Sequence, residues 1–238
     1  VFAFVVFLAA GTQSKAAVNM GVKQTGAGSS YVDLAWDAQL GAGHYHTQFS
    51  QDGKNWIDMD NSSSPSESVY NLTQGASYYA RVVAYKGSHY TGTHVMIGVS
   101  ETAIVSTKPT EVSGLTQTAA GVNSVSMSWN ASAGAASYVI YGYINYNWTQ
   151  IGTSATNSAT ITGVAATTST RFSVAAVKNV TGGTVTGDQC SGVEMKAIPI
   201  KVSRIAMQYY WDSLKEAKYI WTDVNNADGY QYEVKSAN

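Results

Sequence analysis

The sequence predicts an all-β protein built from tandem copies of one small domain. The residues Val32, Leu34 and Trp36 alternate with Asp33 and Ala35, which is the period of a strand with one buried face. Thr, Ser, Val, Tyr and Gly are all frequent in the chain, and this favours short strands and turns over helices. The alternating stretch also recurs along the chain, which indicates more than one copy of the same fold.

The repeat is defined by a Trp at the end of one strand and a Tyr in the next. The Trp-to-Tyr offset is nine residues in each copy, and the Trp-to-Trp spacing is 93 and then 92. The pairs are Trp36 and Tyr45, Trp129 and Tyr138, and Trp221 and Tyr230. A period of this length is too long for a solenoid unit, so each copy is expected to be a small domain.

These spacings divide the chain into domains at residues 17–107 and 108–198, with a truncated third copy at 199–238. Pro109 and Pro199 close the two full copies. Because proline cannot donate to a sheet ladder, both suit stiff junctions between domains.

Each full copy reads as a series of short strands bounded by turn residues. Asp52-Gly53 is a strong hairpin signal, and the Ser-rich stretch 62–68 is predicted to be a loop. The predicted strands of the first copy cover 18–25, 31–37, 44–50, a short strand from Trp56, 69–72, a strand from Tyr78, and 99–107. Those of the second begin with 112–116, 125–130 and 138–143.

The first 16 residues differ from the rest. An unbroken apolar run, VFAFVVFLAA, is followed by small residues at Ser14 and Ala16, the pattern of a secretory signal peptide cut after Ala16. Ten apolar residues are too few to span a bilayer. The alternatives are a hydrophobic first strand, or a retained helix that packs in an assembly.

Charge and cysteine content limit the partners. Charged residues are 12 % of the chain, the net charge is −1 and no basic stripe occurs, so nucleic acid is not expected. The single cysteine, Cys190, forbids an intrachain disulfide and is predicted to be a half-buried thiol near the last strand of the second copy.

Taken together, the strand pattern resembles the fibronectin type III domain. The resemblance depends on about seven short strands, Trp on the second strand, Tyr on the third, and Leu72 followed by Tyr78 as a tyrosine corner on the sixth. The second copy has Thr170 where the corner Tyr is expected. The resemblance implies two packed antiparallel sheets in an immunoglobulin-like sandwich, arranged as beads that act as spacers, adhesion modules or appendages of secreted enzymes.

The sequence carries no catalytic motif and predicts no cofactor. It has no Gly-x-Ser-x-Gly elbow, no His-Glu-x-x-His and no cysteine pair, so we expect a protein that is not an enzyme. The four histidines, His44, His46, His89 and His94, all lie in the first copy. A zinc or nickel site is conceivable there, but ordinary surface histidines are the expectation, and no metal is predicted.

Exposed aromatic residues are the better candidates for binding. Because Tyr138 and Ile140 point inward, alternation sends Tyr141 and Tyr143 outward, and Tyr146 lies in the turn beyond. Such rings can stack on sugars or contact a protein; the alternative is that they pack under loops or against a neighbouring domain. Tyr85 and Tyr90 are placed comparably in the first copy.

The sequence therefore predicts a non-catalytic spacer or adhesion module of a larger secreted or cell-surface protein. The expected partners are protein or carbohydrate at a cell surface or in the extracellular matrix, with no nucleic acid and no membrane span. The alternative is an accessory region of a secreted polysaccharide-degrading enzyme.

Overall fold

The structure, a computed structural model, describes residues 17–88, 95–166, 169–199, 201–211, 213, 216–224 and 229–234. All regular elements in these ranges are β-strands, which confirms the predicted all-β class. No helix in the described ranges is long and apolar enough for a membrane span. The predicted signal peptide, residues 1–16, and His89, Tyr90 and His94 lie outside the described residues.

Nine strands form the first sandwich. They are β1 (Ala17–Val18), β2 (Lys23–Ala27), β3 (Val32–Ala35), β4 (His44–Ser50), β5 (Ile57–Ser62), β6 (Ser66–Val69), β7 (Ser77–Lys86), β8 (Val95–Ser100) and β9 (Ala103–Ser106). One sheet has the order β2-β3-β6, and the other β1-β8-β7-β4-β5 with β9 also paired to β7. All pairs are antiparallel except β1 with β8, which is parallel.

The core of the first sandwich lies between these two sheets. Val32, Leu34 and Trp36 from the β3 segment join Tyr45 and Phe49 from β4 in one buried cluster. Alternation decides this arrangement, because every second residue of each strand points to the same face.

Eight strands repeat the pattern in the second sandwich. They are β10 (Thr116–Gly121), β11 (Ser124–Ser128), β12 (Ser137–Ile144), β13 (Asn147–Ser154), β14 (Ser158–Thr162), β15 (Thr170–Val180), β16 (Gly183–Thr186) and β17 (Val193–Met195). One sheet has the order β10-β11-β14, and the other β13-β12-β15-β16 with β17 also paired to β15. Trp129 and Tyr138 are buried here, as Trp36 and Tyr45 are in the first sandwich.

Several predicted strand boundaries are wrong because the backbone turns within them. The strand predicted at 18–25 is broken at Gly21, whose φ is +55° and whose N–H donates to Asn19 Oδ1 at 3.0 Å. The strand predicted at 69–72 instead ends at Val69, because Asn71 has a left-handed φ of +60°. Its strand takes in Ser66–Ser68, so the predicted Ser-rich loop is shorter than 62–68.

Two further predictions fail at the ends of the copies. The strand predicted at 112–116 begins only at Thr116, after Gly114 with a φ of +69°, and continues to Gly121. The strand predicted at 99–107 is two strands, β8 and β9, separated by Glu101 and Thr102.

Cys190 has a structural role in the second sandwich. It is buried and not half-buried as predicted, because its Sγ points inward and accepts the backbone N–H of Val174 at 3.2 Å. In the first sandwich the equivalent N–H, that of Val82, donates to Ser100 Oγ at 2.8 Å. Ser100 and Cys190 therefore each provide an acceptor for a backbone N–H of β7 or β15 that lies between the segments where that strand pairs with its neighbours.

The third copy contributes a hairpin. Strands β18 (Ile205–Trp211) and β19 (Glu216–Trp221) pair antiparallel, with a bulge between Met207 and Tyr209. Aromatic residues on this hairpin, including Trp211 and Trp221, are exposed.

Candidate functional site

The hairpin β12–β13 brings the predicted site residues of the second sandwich to one edge of its larger sheet. Ile140 and Gly142 are buried, so the alternating residues Tyr141 and Tyr143 face outward as predicted. Tyr143 is 39 % exposed, whereas Tyr141 is half-buried and lies opposite Gln150 in the register.

A two-residue turn joins the strands of this hairpin. Asn145 and Tyr146 have φ values of 49° and 65°, the left-handed pair that a type I′ turn requires. Asn tolerates this conformation, but a bulky residue such as Tyr rarely adopts it. Tyr146 is nevertheless 89 % exposed at the tip, so no packing compensates for the strain.

Trp148, which lies 92 residues after Trp56 and is its counterpart in the second copy, belongs to the same cluster, although it was not among the predicted site residues. It lies opposite Tyr143 in the register, and the two rings meet edge to face with centroids 5.3 Å apart. The turn at Asn145-Tyr146 contains the signal that identifies this pair, because a two-residue turn sets the register of both strands.

Gly192 lies against the Cη2 end of the Trp148 ring, and the Arg171 side chain passes close to the same glycine. A Cβ at Gly192 would lie 2.7 Å from Trp148 Cη2 and 3.4 Å from Arg171 Nε. A glycine is therefore needed at 192 for the indole to occupy this place. Arg171 in turn lies opposite Glu194 in the β15–β17 register. These residues are distant in sequence, so no local pattern indicates them.

In the first sandwich the equivalent tryptophan, Trp56, has different neighbours. The guanidinium of Arg81 lies over the Trp56 ring at 4.1 Å, and Arg81 Nε donates to Gln48 Oε1 at 2.8 Å. Gln48 in turn donates to Asp58 Oδ1 at 2.6 Å. Burial lowers the pKa of Arg81, and the nearby Asp58 carboxylate opposes that shift. Trp56 is thus covered by a network of its own sandwich.

The Trp–Tyr offset that defines the repeat has a structural cause. The two rings pack together in every copy, with centroid separations of 5.4 Å for Trp36–Tyr45, 5.3 Å for Trp129–Tyr138 and 5.5 Å for Trp221–Tyr230. In the first and third copies, the backbone N–H three residues after the Trp donates to the Tyr hydroxyl: Gln39 to Tyr45 at 3.0 Å and Val224 to Tyr230 at 2.7 Å.

The predicted tyrosine corner is formed in the first sandwich. Tyr78 opens the β7 segment that follows Leu72, and its hydroxyl accepts the N–H of Thr73 at 3.0 Å. In both sandwiches a three-stranded sheet, β2-β3-β6 or β10-β11-β14, faces a larger sheet built around β7-β4-β5 or β15-β12-β13. The chain is a tandem of fibronectin type III-like sandwiches. This agrees with the resemblance that the sequence indicated.

Comparisons with known proteins give structural neighbours only. No family model matches the chain, and no curated protein matches it. Among solved structures it is similar to the FN1-FN3 domains of chicken CNTN1, with 14 % identity, a TM-score of 0.43, and coverage of 76 % of this chain and 68 % of that one. A two-domain fibronectin type III segment from chicken tenascin has 17 % identity, a TM-score of 0.37, and coverage of 74 % and 97 %. The twitchin kinase region from C. elegans has 18 % identity and a TM-score of 0.33, over 38 % of this chain and 17 % of that one.

One histidine of the first fibronectin type III-like sandwich, His44, is not the ordinary surface residue that the sequence predicts. His44 is buried, its Nδ1 lies 2.9 Å from the carbonyl oxygen of Gly87, and its ring stacks on Tyr85 at 5.2 Å. Tyr85, predicted to be an exposed counterpart of the binding tyrosines, is therefore half-buried in this stack. Within the described residues no three His, Cys, Asp or Glu side chains are grouped to hold a metal ion; His89 and His94 lie outside those residues.

Proposed function

We propose that the chain is a non-catalytic module that works outside the cell, as a spacer with a weak binding face of its own. The observation that carries this proposal is the exposed aromatic cluster on the second sandwich, at Tyr143, Tyr146 and Trp148 with Tyr141 beside them. A pure spacer gains little from a bulky residue in a strained left-handed turn.

The cluster supports weak binding only. Aromatic stacking gives about 0.5–1.5 kcal/mol per ring, so a few rings reach affinities of about the millimolar range. Such contacts become effective when an array repeats them on a surface, which suits an adhesion or matrix-binding module. Protein and carbohydrate are both candidate partners at this level, at a cell surface or in the extracellular matrix.

The test is a binding screen with the whole chain, labelled and applied to neutral polysaccharides, cell walls and matrix proteins. We expect measurable retention by at least one surface and its loss in the Tyr141→Ala/Tyr143→Ala double variant. If no surface retains the chain, or if the double variant is retained equally well, this face does not bind and the chain is a spacer only.

A second candidate is an accessory region of a secreted polysaccharide-degrading enzyme. The same aromatic cluster favours it, because such a region binds polymer on behalf of a catalytic domain. The chain alone should then bind the polymer without releasing reducing sugar from it, whereas release by the purified chain would show that it is itself an enzyme.

A further inference from the structure

The geometry points to an internal stretch of a neutral polysaccharide as the ligand, with the Trp148 indole as its principal stacking platform beside Arg171 and Glu194. This inference rests on the proposed binding face and specifies its ligand and its central residue. It depends on four features of the second sandwich.

The first feature is that Trp148 lacks a counterpart of the arginine that lies over Trp56. Arg81, which lies over Trp56, corresponds to Ser173 at the same 92-residue offset that relates Trp56 to Trp148. Ser173 is buried and donates to the carbonyl oxygen of Cys190 at 2.7 Å, so it cannot lie over the indole. Trp148 is 36 % exposed, and the position that corresponds to Arg81 provides no side chain to lie over its ring.

The second feature is a polar frame next to the rings. Gln150 lies opposite Tyr141, and Glu194 lies opposite Arg171, so paired side chains share the outward face with Tyr143 and Trp148. Arginine only donates, carboxylate only accepts, and the glutamine amide does both. Sugar hydroxyls also donate and accept, whereas an apolar peptide or a lipid chain would leave these groups without partners.

The third feature is the charge of the face. The positive charge of Arg171 is offset by Glu194 opposite it, and Ser169 Oγ donates to that carboxylate at 3.2 Å. A nucleic acid or a sulfated or uronic glycan needs an excess of positive charge, which this face does not supply. The ligand class that fits is therefore neutral.

The fourth feature is the flat, fixed shape of the site. The rings lie on an open sheet face, and the close approach of Gly192 limits where the Trp148 indole can lie before a ligand arrives. An open face accepts the middle of a polymer and does not require a chain end. A stable protein complex usually buries about 800 Å² on each partner, far more than a few half-exposed rings provide.

The experiment is affinity electrophoresis of the full chain through gels that contain a neutral glucan, mannan or xylan, with charged polymers as comparison. We expect at least one neutral polymer to retard the chain, Trp148→Ala to weaken the apparent affinity by about five- to tenfold, and Trp148→Phe to recover part of the loss. Raising the salt concentration should leave the affinity nearly unchanged, because no net charge is neutralised.

Trp56→Ala is the matched control, since it removes the covered tryptophan of the first sandwich and should leave retardation unchanged. Thermal melting of each variant shows whether its fold is retained, and Trp148→Phe keeps the test decisive if Trp148→Ala is unstable. Binding that Tyr141→Ala/Tyr143→Ala abolishes but that both Trp148 variants leave intact would overturn the inference and preserve the proposed face. Binding to matrix proteins or charged polymers alone would overturn the ligand class, and no binding to any surface would overturn both proposals.

Discussion

At the scale of single residues, the buried tryptophans support each sandwich by packing. The indole N–H groups of Trp36 and Trp129 are buried and have no hydrogen-bond partner among the described residues. Their contribution is therefore the apolar area they remove from water and the edge-to-face contact with Tyr45 or Tyr138.

We expect Trp129→Ala to lower the free energy of unfolding of the second sandwich by about 3–5 kcal/mol, which is enough to unfold a marginal domain. Trp129→Phe should cost less, because it keeps the ring contact with Tyr138 and removes only an N–H that has no partner. Urea denaturation followed by circular dichroism measures both. Thermal melting gives the contrary outcome: a Trp129→Ala chain with a melting temperature within a few degrees of that of the unaltered chain would contradict the assigned core.

Cys190 gives a second prediction at this scale. Because its Sγ accepts the Val174 N–H as Ser100 Oγ accepts that of Val82, Cys190→Ser should be tolerated, and Cys190→Ala should lose about 1 kcal/mol. Ser100→Ala is the matched change in the first sandwich and should cost a similar amount. Equal stability of the Cys190→Ala and Cys190→Ser chains would show that the thiol acts only by filling space.

At the scale of elements, the hairpin turns carry most of the local information. The Asp52-Gly53 turn is predicted from its dipeptide, and the structure shows why: Asp52 Oδ1 accepts the N–H groups of Lys54 and Asn55, both at 2.8 Å. Gly53 supplies the left-handed φ of +71°.

These hydrogen bonds make the turn sensitive to pH. The backbone N–H of Asn55, then that of Lys54, holds the pKa of Asp52 well below its usual range, so the unfolded chain takes up this proton at a higher pH than the folded chain. The stabilisation is complete above the unfolded pKa of about 3.9 and is lost as the pH falls through the lower folded value. Asp52→Asn should therefore be less stable than the unaltered chain at pH 7, and the difference should shrink below about pH 4. A difference that is constant from pH 7 to pH 2 would contradict this role.

The turn of the β12–β13 hairpin gives the opposite prediction, a substitution that stabilises. A left-handed φ costs a residue with a side chain about 1–2 kcal/mol, and Tyr146 has almost no packing to lose. Tyr146→Gly should therefore raise the free energy of unfolding by about 1 kcal/mol, while Asn145→Gly should change it much less. Chemical denaturation of the three chains measures this. Loss of stability in Tyr146→Gly would show that the tyrosine ring supports the hairpin.

The sequence predicts a large part of these elements, and each incorrect or missing prediction has a physical cause. Alternation and the Trp–Tyr offset are local signals, so the buried faces of β3, β4, β11 and β12 are predicted correctly. Strand ends were misplaced where Gly21, Asn71 or Gly114 takes a left-handed φ, which a hydrophobic pattern does not reveal. The sequence does not indicate Arg171 and Gly192 as site residues, because only the pairing of distant strands brings them near Trp148.

At the scale of the whole molecule, the repeat has diverged on its surface while its core is preserved. The two sandwiches share the same strand order and the same Trp–Tyr contact. Their outward faces differ, because the polar network of Gln48, Arg81 and Asp58 is replaced by Tyr141, Ser173 and Gln150 at the corresponding offsets. The fold and the proposed binding face therefore depend on different residues of each strand, the inward and the outward set.

The repeat also predicts how the chain divides into folding units. Residues 17–107 and 108–198 each carry a full set of strands, so we expect each fragment to fold alone, with dispersed amide signals in a two-dimensional NMR spectrum. Residues 199–238 should not fold alone, because the described part of that copy is a hairpin whose aromatic side chains, such as Trp211 and Trp221, remain exposed. A single two-stranded hairpin is marginal in water, and its open edges favour association. Collapsed spectra from 17–107 or 108–198 would show that these boundaries are misplaced, and a well-dispersed spectrum from 199–238 would show that the third copy is a complete folding unit.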